Sequence, residues 1–325
     1  MSGAPDQTTA PDQKDQTGAP VFLTGPRYVI GERDEDHTAI VNLQERIALF
    51  RILPKADFWG WGRIRRTEKG IAALAIESGA ATLRTAGADP ASVDCLVLCS
   101  SSFPDGTGAH GELVQTVMSG LGLDDADFVG VTLHSCANLL SGITVAEAMV
   151  ASRRYRQVLV IGADRVTDER VRMEKFALFS DGAASCLVSA EPGDFALVSC
   201  AAAHRVRDLD WSGEISSDLA RTVNQRLLKS AGVTLEEIAG LMHANIFRPI
   251  IVLKEMQAGF AAEQLYTDNI VRYGHCFAAD PLINLVDRVA AGTVEDNRYY
   301  MLASSVPGIR IGAVLRKLPG NGGDR

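Results

Sequence analysis

The chain of 325 residues carries one pattern twice. Residues 86–98, AGADPASVDCLVL, align without a gap on residues 231–243, AGVTLEEIAGLMH, at an offset of 145 residues, so that a helix end, an Ala-Gly stop and a following strand superpose. Later segments correspond in the same order, since QVLVIGAD matches RYYMLASS and DGAASCLVS matches GIRIGAVLRK. A repeat of this length indicates a duplicated α/β unit whose halves meet in a cleft. Chance similarity of two helix-to-strand turns is the alternative.

Apolar, β-branched runs alternate with longer helical patterns between residues 21 and 318. The runs are CLVLCSS, FVGVTL, QVLVIGAD, EIAGLMHA, DNIVRY and RYYMLASS. This alternation predicts an α/β fold with mainly parallel, buried strands. We expect an N-terminal half over residues 21–190 and a C-terminal half over residues 191–318, between disordered tails at 1–20 and 319–325. The N-terminal tail has almost no large apolar side chain to offset its ordering entropy.

Composition limits the partners of the chain. A hydrophobic fraction of 46% excludes global disorder, and the net charge of −8 argues against nucleic acid. No run approaches the roughly 20 apolar residues of a membrane span, and the N-terminus lacks the apolar core of a signal peptide, so we expect a soluble cytoplasmic protein. The six cysteines are then thiols, none in a C-x-x-C pair, and we predict neither a metal site nor a tightly bound cofactor.

Cys136 lies where the strand FVGVTL turns into a helix that is apolar on nearly all sides. The N-terminus of a helix offers free N–H groups and a partial positive charge, which favour a thiolate over a thiol. One interpretation is therefore an activated nucleophile. The other is a small buried thiol that fills a tight turn.

A thiolate nucleophile needs a proton carrier, and two of the six histidines are candidates. His243 ends EIAGLMH and His275 follows NIVRYG, which places both at the predicted C-terminal ends of strands, where α/β folds bind ligands. By the duplication, Cys136 and His275 occupy comparable strand-to-helix turns, one in each half. The alternative for each histidine is a structural role, with its ring nitrogens hydrogen-bonded within the protein.

An ordered series of motifs resembles the β-ketoacyl-acyl carrier protein synthase III family of the thiolase superfamily, over about residues 21–318. The series is Cys136 before a buried helix, LFSDGAASCLV, His243 with Asn245 in HANIFRPI, Gly274-His275, and SVPGIRIGAVL. The resemblance implies a duplicated five-layer αβαβα fold, usually dimeric, in which the cysteine takes an acyl group from coenzyme A or acyl carrier protein. It also implies that Cys136 is acylated, that His243 is its proton partner, and that the N–H groups of Cys136 and of a residue near Gly308 form the oxyanion hole.

The chain departs from the family pattern around His275. Decarboxylating members carry G-N-T-S-A-A-S where this chain has GHCFAAD, and H-Q-A-N is shortened here to HAN, while residues 205–220 replace a longer substrate-covering segment. The form GHCFAADP resembles a side branch of secondary-metabolite pathways, in which a cysteine is paired with a histidine and an aspartate and some members acylate alcohols or amines. Asp280 would be that aspartate and would support an imidazolium. Asp280 before Pro281 also reads as a helix N-cap, and the two roles are compatible.

A short aromatic and basic segment is a candidate site for the acyl donor. Trp59, Trp61, Arg63 and Arg65 combine aromatic faces with cations, which would suit the adenine and phosphates of coenzyme A or an acidic carrier protein. The family contacts its pantetheine donor in this region.

We therefore predict from the sequence an acyltransferase that passes an acyl group from Cys136 to an oxygen or nitrogen nucleophile in polyketide-type secondary metabolism. His243 and Asp280 would act together in that reaction. A carbon–carbon condensing synthase using Cys136, His243 and His275 is the first alternative, and a noncatalytic partner subunit of an active homologue is the second. We also expect a homodimer with QVLVIGAD near its interface.

Overall fold

The computed structural model describes residues 19–210 and 216–320. The predicted disordered tails therefore lie almost wholly outside the described residues, as do residues 211–215 of the shortened 205–220 segment. No helix within the described ranges combines the length and apolarity needed to cross a bilayer.

The first half of the chain contains strands β1 to β9 and helices α1 to α5. Its strands are β1 (Phe22–Ile30), β2 (Arg33–Asp36), β3 (Arg63–Arg66), β4 (Cys95–Cys99), β5 (Asp127–Val131), β6 (Gln157–Asp164), β7 (Met173–Glu174), β8 (Ala177–Leu178) and β9 (Gly182–Ser189). Its helices are α1 (Leu43–Phe50), α2 (Ala56–Trp59), α3 (Ile71–Ala86), α4 (Thr107–Leu121) and α5 (Asn138–Ala151).

The second half contains strands β10 to β14 and helices α6 to α9. Its strands are β10 (Phe195–His204), β11 (Ile238–His243), β12 (Leu265–Tyr266), β13 (Tyr299–Val306) and β14 (Ile309–Lys317). Its helices are α6 (Ser217–Ala231), α7 (Arg248–Gln257), α8 (Asp268–Tyr273) and α9 (Asp280–Ala290). The expected boundary between residues 190 and 191 falls in the connection from β9 to β10.

Ten strands of the described chain form one sheet in the order β12-β11-β13-β14-β10-β1-β9-β6-β4-β5. The two halves of this order mirror each other about the β10–β1 pair. β4 thus corresponds to β11, β6 to β13 and β9 to β14, which are the pairs that the internal alignment predicts. The duplication read from the sequence is a duplication of structure.

The strands are not mainly parallel, contrary to the prediction. β4 runs parallel to β5 and β6, and β11 runs parallel to β12 and β13. Every neighbouring pair from β13 across the centre to β6 is antiparallel. Helices cover the central strands on both faces, so their sequences are continuously apolar, as in a parallel sheet, and composition does not reveal their direction. The segment QVLVIGAD is β6, which lies inside the sheet between β4 and β9 rather than at a free edge.

Helices α5 and α9 form a middle layer, because each packs against strands of both halves. Helices α3 and α4 pack together over the outer face of the first half, and α6 and α7 do so over the second. The two halves of the ten-stranded sheet therefore lie on either side of α5 and α9, and the order of helix, half-sheet, helix, half-sheet, helix confirms the predicted αβαβα fold. The core between the two halves buries residues from α5, α9 and strands of both halves.

The run DNIVRY forms helix α8 and not a strand. Six residues with two apolar side chains do not distinguish the two periodicities, so this prediction was wrong. Gly274 ends α8 with φ of +69°. His275 consequently follows a helix, and it joins Phe179 in an isolated parallel bridge.

Candidate active site

The nucleophile candidate Cys136 lies in a single 3-10 turn, Ser135–Ala137, that leads directly into α5. The turn is tight, with a positive φ of 48° at Ser135. Asn138 holds it closed, because its Oδ1 accepts the His134 N–H at 2.9 Å and its Nδ2 donates to the Ser100 carbonyl at 3.1 Å. Cys136 is 5% exposed. The thiol therefore lies at the N-terminus of a buried helix, as the sequence predicts.

The second half contains an equivalent turn at Phe277–Ala279, which leads into α9. Phe277 has a positive φ of 51°, and the Cys276 N–H donates to Asp280 Oδ1 at 2.8 Å. Asp280 thus repeats the role of Asn138 in the first turn. The two turns pack against each other, which brings His275 to the nucleophile. The turns are comparable, as predicted, but the counterpart of Cys136 by position is Ala278.

His275 interacts with both Asp280 and Cys136. Its Nδ1 donates to Asp280 Oδ2, and its Nε2 is buried without a hydrogen-bond partner among the described residues. Burial opposes a charge on the ring, but the charges of Asp280 and Cys136 together raise the pKa of His275 to about 10. The three side chains form a Cys-His-Asp arrangement, in which the histidine lies between nucleophile and carboxylate.

Asp280 accepts hydrogen bonds from several donors in a fully buried setting. The backbone N–H groups of Cys276 and Asn245 donate to it at 2.8 and 2.6 Å, and the Asn245 amide donates at 3.3 Å. Asp280 is not the N-cap of α9, because Ala279 occupies that position and Asp280 is the first helical residue. Its carboxylate instead closes the preceding turn and holds His275.

His243 belongs to a different cluster. Its Nδ1 donates to the Ala244 carbonyl at 3.1 Å, and its Nε2 accepts from Lys254 Nζ at 2.7 Å. Burial and then the charge of Lys254 lower the pKa of His243 well below 6.5, although Glu255 opposes them. The predicted pairing of His243 with Asp280 is therefore wrong, since Asp280 is bonded to His275 and the free electron pair of His243 is occupied.

The cluster around His243 is a buried ion network. Lys254 Nζ contacts Glu255 Oε1 at 2.9 Å and donates to Ser305 Oγ at 3.1 Å, while Arg310 pairs with Glu255 at 2.6 Å. Burial lowers the pKa of Lys254 to about 8, although the charge of Glu255 opposes it. Helix α7 places its charged residues inward at these positions, which the sequence did not indicate.

Gly308 lies in the two-residue turn between β13 and β14, with φ of +70°. Its carbonyl accepts the Arg205 N–H at 2.7 Å. On β13, Ser304 Oγ donates to the Cys136 carbonyl at 2.8 Å, so this hairpin packs beside the nucleophile turn. The oxyanion role of the Cys136 and Gly308 regions stays a prediction.

The four residues expected to bind the acyl donor separate into two groups. Trp59 and Trp61 both pack on Phe247, with ring centroids 5.6 and 5.9 Å apart, beside the N-terminus of α7. Trp61 is only 6% exposed, so it is a core residue. Arg63 and Arg65 instead bond Asp34 at 2.6 and 2.9 Å, and donor binding by this group stays a prediction.

The sequence interpretation missed the aromatic surroundings of His275. The rings of Phe179, Phe277 and Phe176 lie with centroids 4.9, 6.2 and 6.3 Å from the imidazole. Phe179 and Phe277 are inside the motifs LFSDGAASCLV and GHCFAAD, so position in those motifs was the available signal. Among the described residues, no group of three His, Cys, Asp or Glu side chains could hold a metal ion.

Sequence comparison identifies relatives. Residues 132–203 match the family model of 3-oxoacyl-[acyl-carrier-protein (ACP)] synthase III. The β-ketoacyl-[acyl-carrier-protein] synthase III of Aquifex aeolicus is 25% identical over 299 residues, covering 84% of this chain and 94% of the relative. That of Listeria innocua is 22% identical over 277 residues, covering 78% and 85%.

Solved structures agree on the fold. The acyltransferase ChlB3 superposes with a TM-score of 0.81 at 17% identity over 92% of this chain and 98% of its own. The Aquifex aeolicus synthase III gives 0.75 at 19% identity over 91% and 99%. The chain is thus similar in sequence to 3-oxoacyl-[acyl-carrier-protein] synthase III proteins, and it has the thiolase-like fold of the solved synthase III and ChlB3 structures.

Proposed function

We propose that this enzyme transfers an acyl group from a coenzyme A or acyl carrier protein thioester, through Cys136, to an oxygen or nitrogen nucleophile. The observation that carries the proposal is the bond from His275 to Asp280 beside Cys136. We place the reaction in secondary metabolism, of the polyketide type, because the GHCFAADP form resembles that branch. The six cysteines are free thiols, which supports a cytoplasmic setting.

In the loading step, the Cys136 thiolate attacks the carbonyl carbon of the donor thioester. The carbon–sulfur bond of the donor then breaks, and the departing thiolate takes the proton from the His275 imidazolium. The result is acyl-Cys136, a free donor thiol and a neutral His275. Because Asp280 raises the proton affinity of His275, the imidazolium is available at neutral pH.

In the transfer step, the neutral His275 Nε2 accepts the proton of the acceptor hydroxyl or amine as that group attacks the acyl carbon. The bond to Cys136 Sγ breaks and restores the thiolate beside the imidazolium. Asp280 holds the Nδ1 proton and so keeps the free electron pair on Nε2, which has no hydrogen-bond partner in the described part of the chain.

The state of His243 supports transfer over condensation. A decarboxylating synthase needs two neutral donors aimed at the enolate oxygen. His243 uses its Nδ1 hydrogen on the Ala244 carbonyl, and its Nε2 contacts Lys254 Nζ at 2.7 Å and Glu255 Oε1 at 3.2 Å, so both nitrogens are engaged within the protein. The condensing alternative needs His243 as the second hydrogen-bond donor to the enolate oxygen, and His243 is not free for that role.

Condensation is the second candidate because the curated relatives are synthases. The noncatalytic-subunit alternative finds less support, since a partner that lends only surface does not need His275 bonded to Asp280 beside an intact Cys136. For the donor, we propose binding beside Trp59 and Trp61 at the N-terminus of α7. Arg248, the first residue of α7, packs next to Gly60 and adds a cation there.

Replacement of Asp280 tests the proposal, because Asn138 shows that asparagine closes the equivalent turn. We expect Asp280→Asn to lower acyl transfer on the order of 10²-fold or more, with acylation of Cys136 largely kept. His275→Asn should be at least as severe, since it removes the proton carrier. His243→Gln is the matched control in the second cluster and should leave transfer within a few fold. Strong dependence on His243, together with release of carbon dioxide from a malonyl donor, would support condensation instead.

A further inference from the structure

Three buried asparagine side chains form a hydrogen-bonded chain that ends at Asp280. The Asn269 Nδ2 donates to Asp287 Oδ2 at 3.0 Å and to Asn284 Oδ1 at 2.9 Å. The Asn284 Nδ2 donates to Asn245 Oδ1 at 2.9 Å. The Asn245 Nδ2 donates to Asp280 Oδ1 at 3.3 Å. The catalytic candidate is thus linked to residues of α8 and α9 that contact no reacting atom.

A backbone carbonyl fixes the orientation of the amide groups in this series of hydrogen bonds. The atom of Asn284 that lies 2.7 Å from the His243 carbonyl must be its nitrogen, because a carbonyl only accepts. Its Oδ1 therefore faces Asn269. Asn245 consequently presents its oxygen to Asn284 and its NH₂ to Asp280, so this orientation does not depend on an arbitrary choice of amide flip.

We propose that Asn245 is a positioning residue, which holds the Asp280 carboxylate against His275 and sets the pH range in which His275 takes up the proton of the acceptor. This inference rests on the proposed function. Asn245 acts with two donors, its backbone N–H at 2.6 Å and its side-chain amide at 3.3 Å. Within the described residues, its side chain bonds Asp280 and Asn284 and not Cys136 or the imidazole, so we infer that it acts through Asp280.

The physical reason is the burial of the carboxylate. A charge that is out of contact with water depends on the hydrogen bonds it accepts. Removal of the Asn245 amide leaves Asp280 less stabilised, and the His275–Asp280 pair then binds a proton more tightly. The neutral imidazole needed for transfer forms only at higher pH.

The test is the pH dependence of acyl transfer in Asn245→Ala. We expect the acid limb of the pH profile of kcat to move to higher pH by about one unit. A shift of this size corresponds to the free energy of about one hydrogen bond to a charged group. Transfer at neutral pH then falls about tenfold, while the high-pH plateau and the donor KM stay within about twofold. Asn245→Ser keeps a hydroxyl donor and should show a smaller shift of the acid limb. This variant replaces Asn245→Ala in the test if the alanine variant folds poorly.

The matched control is Asn224→Ala, a buried asparagine whose Oδ1 accepts from Arg310 in the other cluster. It should leave the acid limb in place. A purely structural role for Asn245 would lower the whole profile without moving the limb, and that result would overturn the inference.

A second readout separates this inference from the proposed function. In Cys136→Ala, the imidazole of His275 can be titrated by ¹⁵N NMR without an acyl donor, with His275→Asn to assign its signals. Adding Asn245→Ala should raise the pH of this titration by about one unit. An unchanged titration overturns the inference even if acyl-Cys136 forms, whereas a shifted titration without any acyl-Cys136 supports the positioning role and overturns the function.

Discussion

Two buried histidines at the same end of the fold have opposite electrostatic surroundings. The Asp280 carboxylate and Cys136 favour the protonated form of His275 despite its burial, whereas burial and the Lys254 ammonium favour the neutral form of His243 against the opposing charge of Glu255. Under the proposed function, these neighbours suit His275 to proton transfer and His243 to a structural role. Sequence position alone made both equally suitable.

The raised pKa of His275 predicts how stability depends on pH. The folded value of about 10 lies above the ordinary 6.5, so the folded state binds the proton more tightly between these values. The stabilisation is complete below pH 6.5 and is lost as the pH rises through about 10. Denaturant unfolding at several pH values should show that His275→Asn loses on the order of a few kcal/mol near pH 6 and much less near pH 10. An equal loss of unfolding free energy near pH 6 and near pH 10 would contradict the raised pKa of His275.

At the same scale, sequence reasoning identified the residue types but not their partners. Cys136, His275 and Asp280 were all singled out, yet Asp280 was paired with the wrong histidine. Asp280 and His275 are five residues apart in one turn, whereas the approach of Cys136 to His275 depends on two turns that meet across the interface of the halves. Lys254 had no visible signal, because a lysine on a ten-residue helix is usually solvated.

Among the elements, α5 follows the turn of the candidate nucleophile Cys136 and packs closely on the sheet at Gly142. A Cβ atom built there would clash with Cys99 Sγ and lie 3.2 Å from methyl groups of Val97 and Val160. This close approach explains why glycine stands inside a buried helix.

We therefore expect Gly142→Ala to lower the free energy of unfolding by about 1–3 kcal/mol. The matched control is Gly108→Ala in α4, where an added Cβ meets no atom within 4 Å. Since alanine favours helix, the control should be neutral or more stable by about 0.5–1 kcal/mol. Thermal and denaturant unfolding measure both, and equal stability of the two variants would show that the α5 packing is looser than described.

Element type followed from the sequence where runs were long and failed where they were short. The strands β4, β6, β9, β11, β13 and β14 lie where apolar runs predict them. The six-residue α8 was taken for a strand, and strand direction in the centre of the sheet was missed. Both features depend on tertiary contacts that periodicity does not encode.

For the whole molecule, the open edge of the sheet supports the proposed homodimer. β5 has no strand neighbour on its outer side within the described chain. Its Phe128 is 58% exposed, and Leu133 in the following connection is 89% exposed. An uncovered apolar edge strand favours pairing with another chain.

Size-exclusion chromatography with light scattering should therefore give twice the chain mass of 34.8 kDa at micromolar concentration. Phe128→Asp should shift the species toward monomer, because it places a charge on the paired edge. Val41→Asp, at an apolar residue away from β5 that is 89% exposed, is the control and should remain dimeric. A wild-type monomer would contradict the proposed assembly.

The architecture of the whole molecule was the most predictable level. An offset of 145 residues in one alignment anticipates the mirrored strand order of the two halves. The internal repeat, unlike a single side-chain contact, is spread over many residues and so survives in the sequence. The acyl donor and acceptor are not encoded at this level, because they depend on the shape of one cleft.

The most direct test of acyl transfer through Cys136 is the mass of the protein after brief incubation with an acyl-coenzyme A pool or acyl carrier protein thioesters. We predict one acyl adduct per chain, mapped to the Cys136 peptide, retained in Asp280→Asn and absent in Cys136→Ala. Addition of an alcohol or amine acceptor should remove the adduct quickly from the wild type and slowly from Asp280→Asn. An unmodified Cys136 with every donor, or an acyl group mapped to another cysteine, would contradict the account.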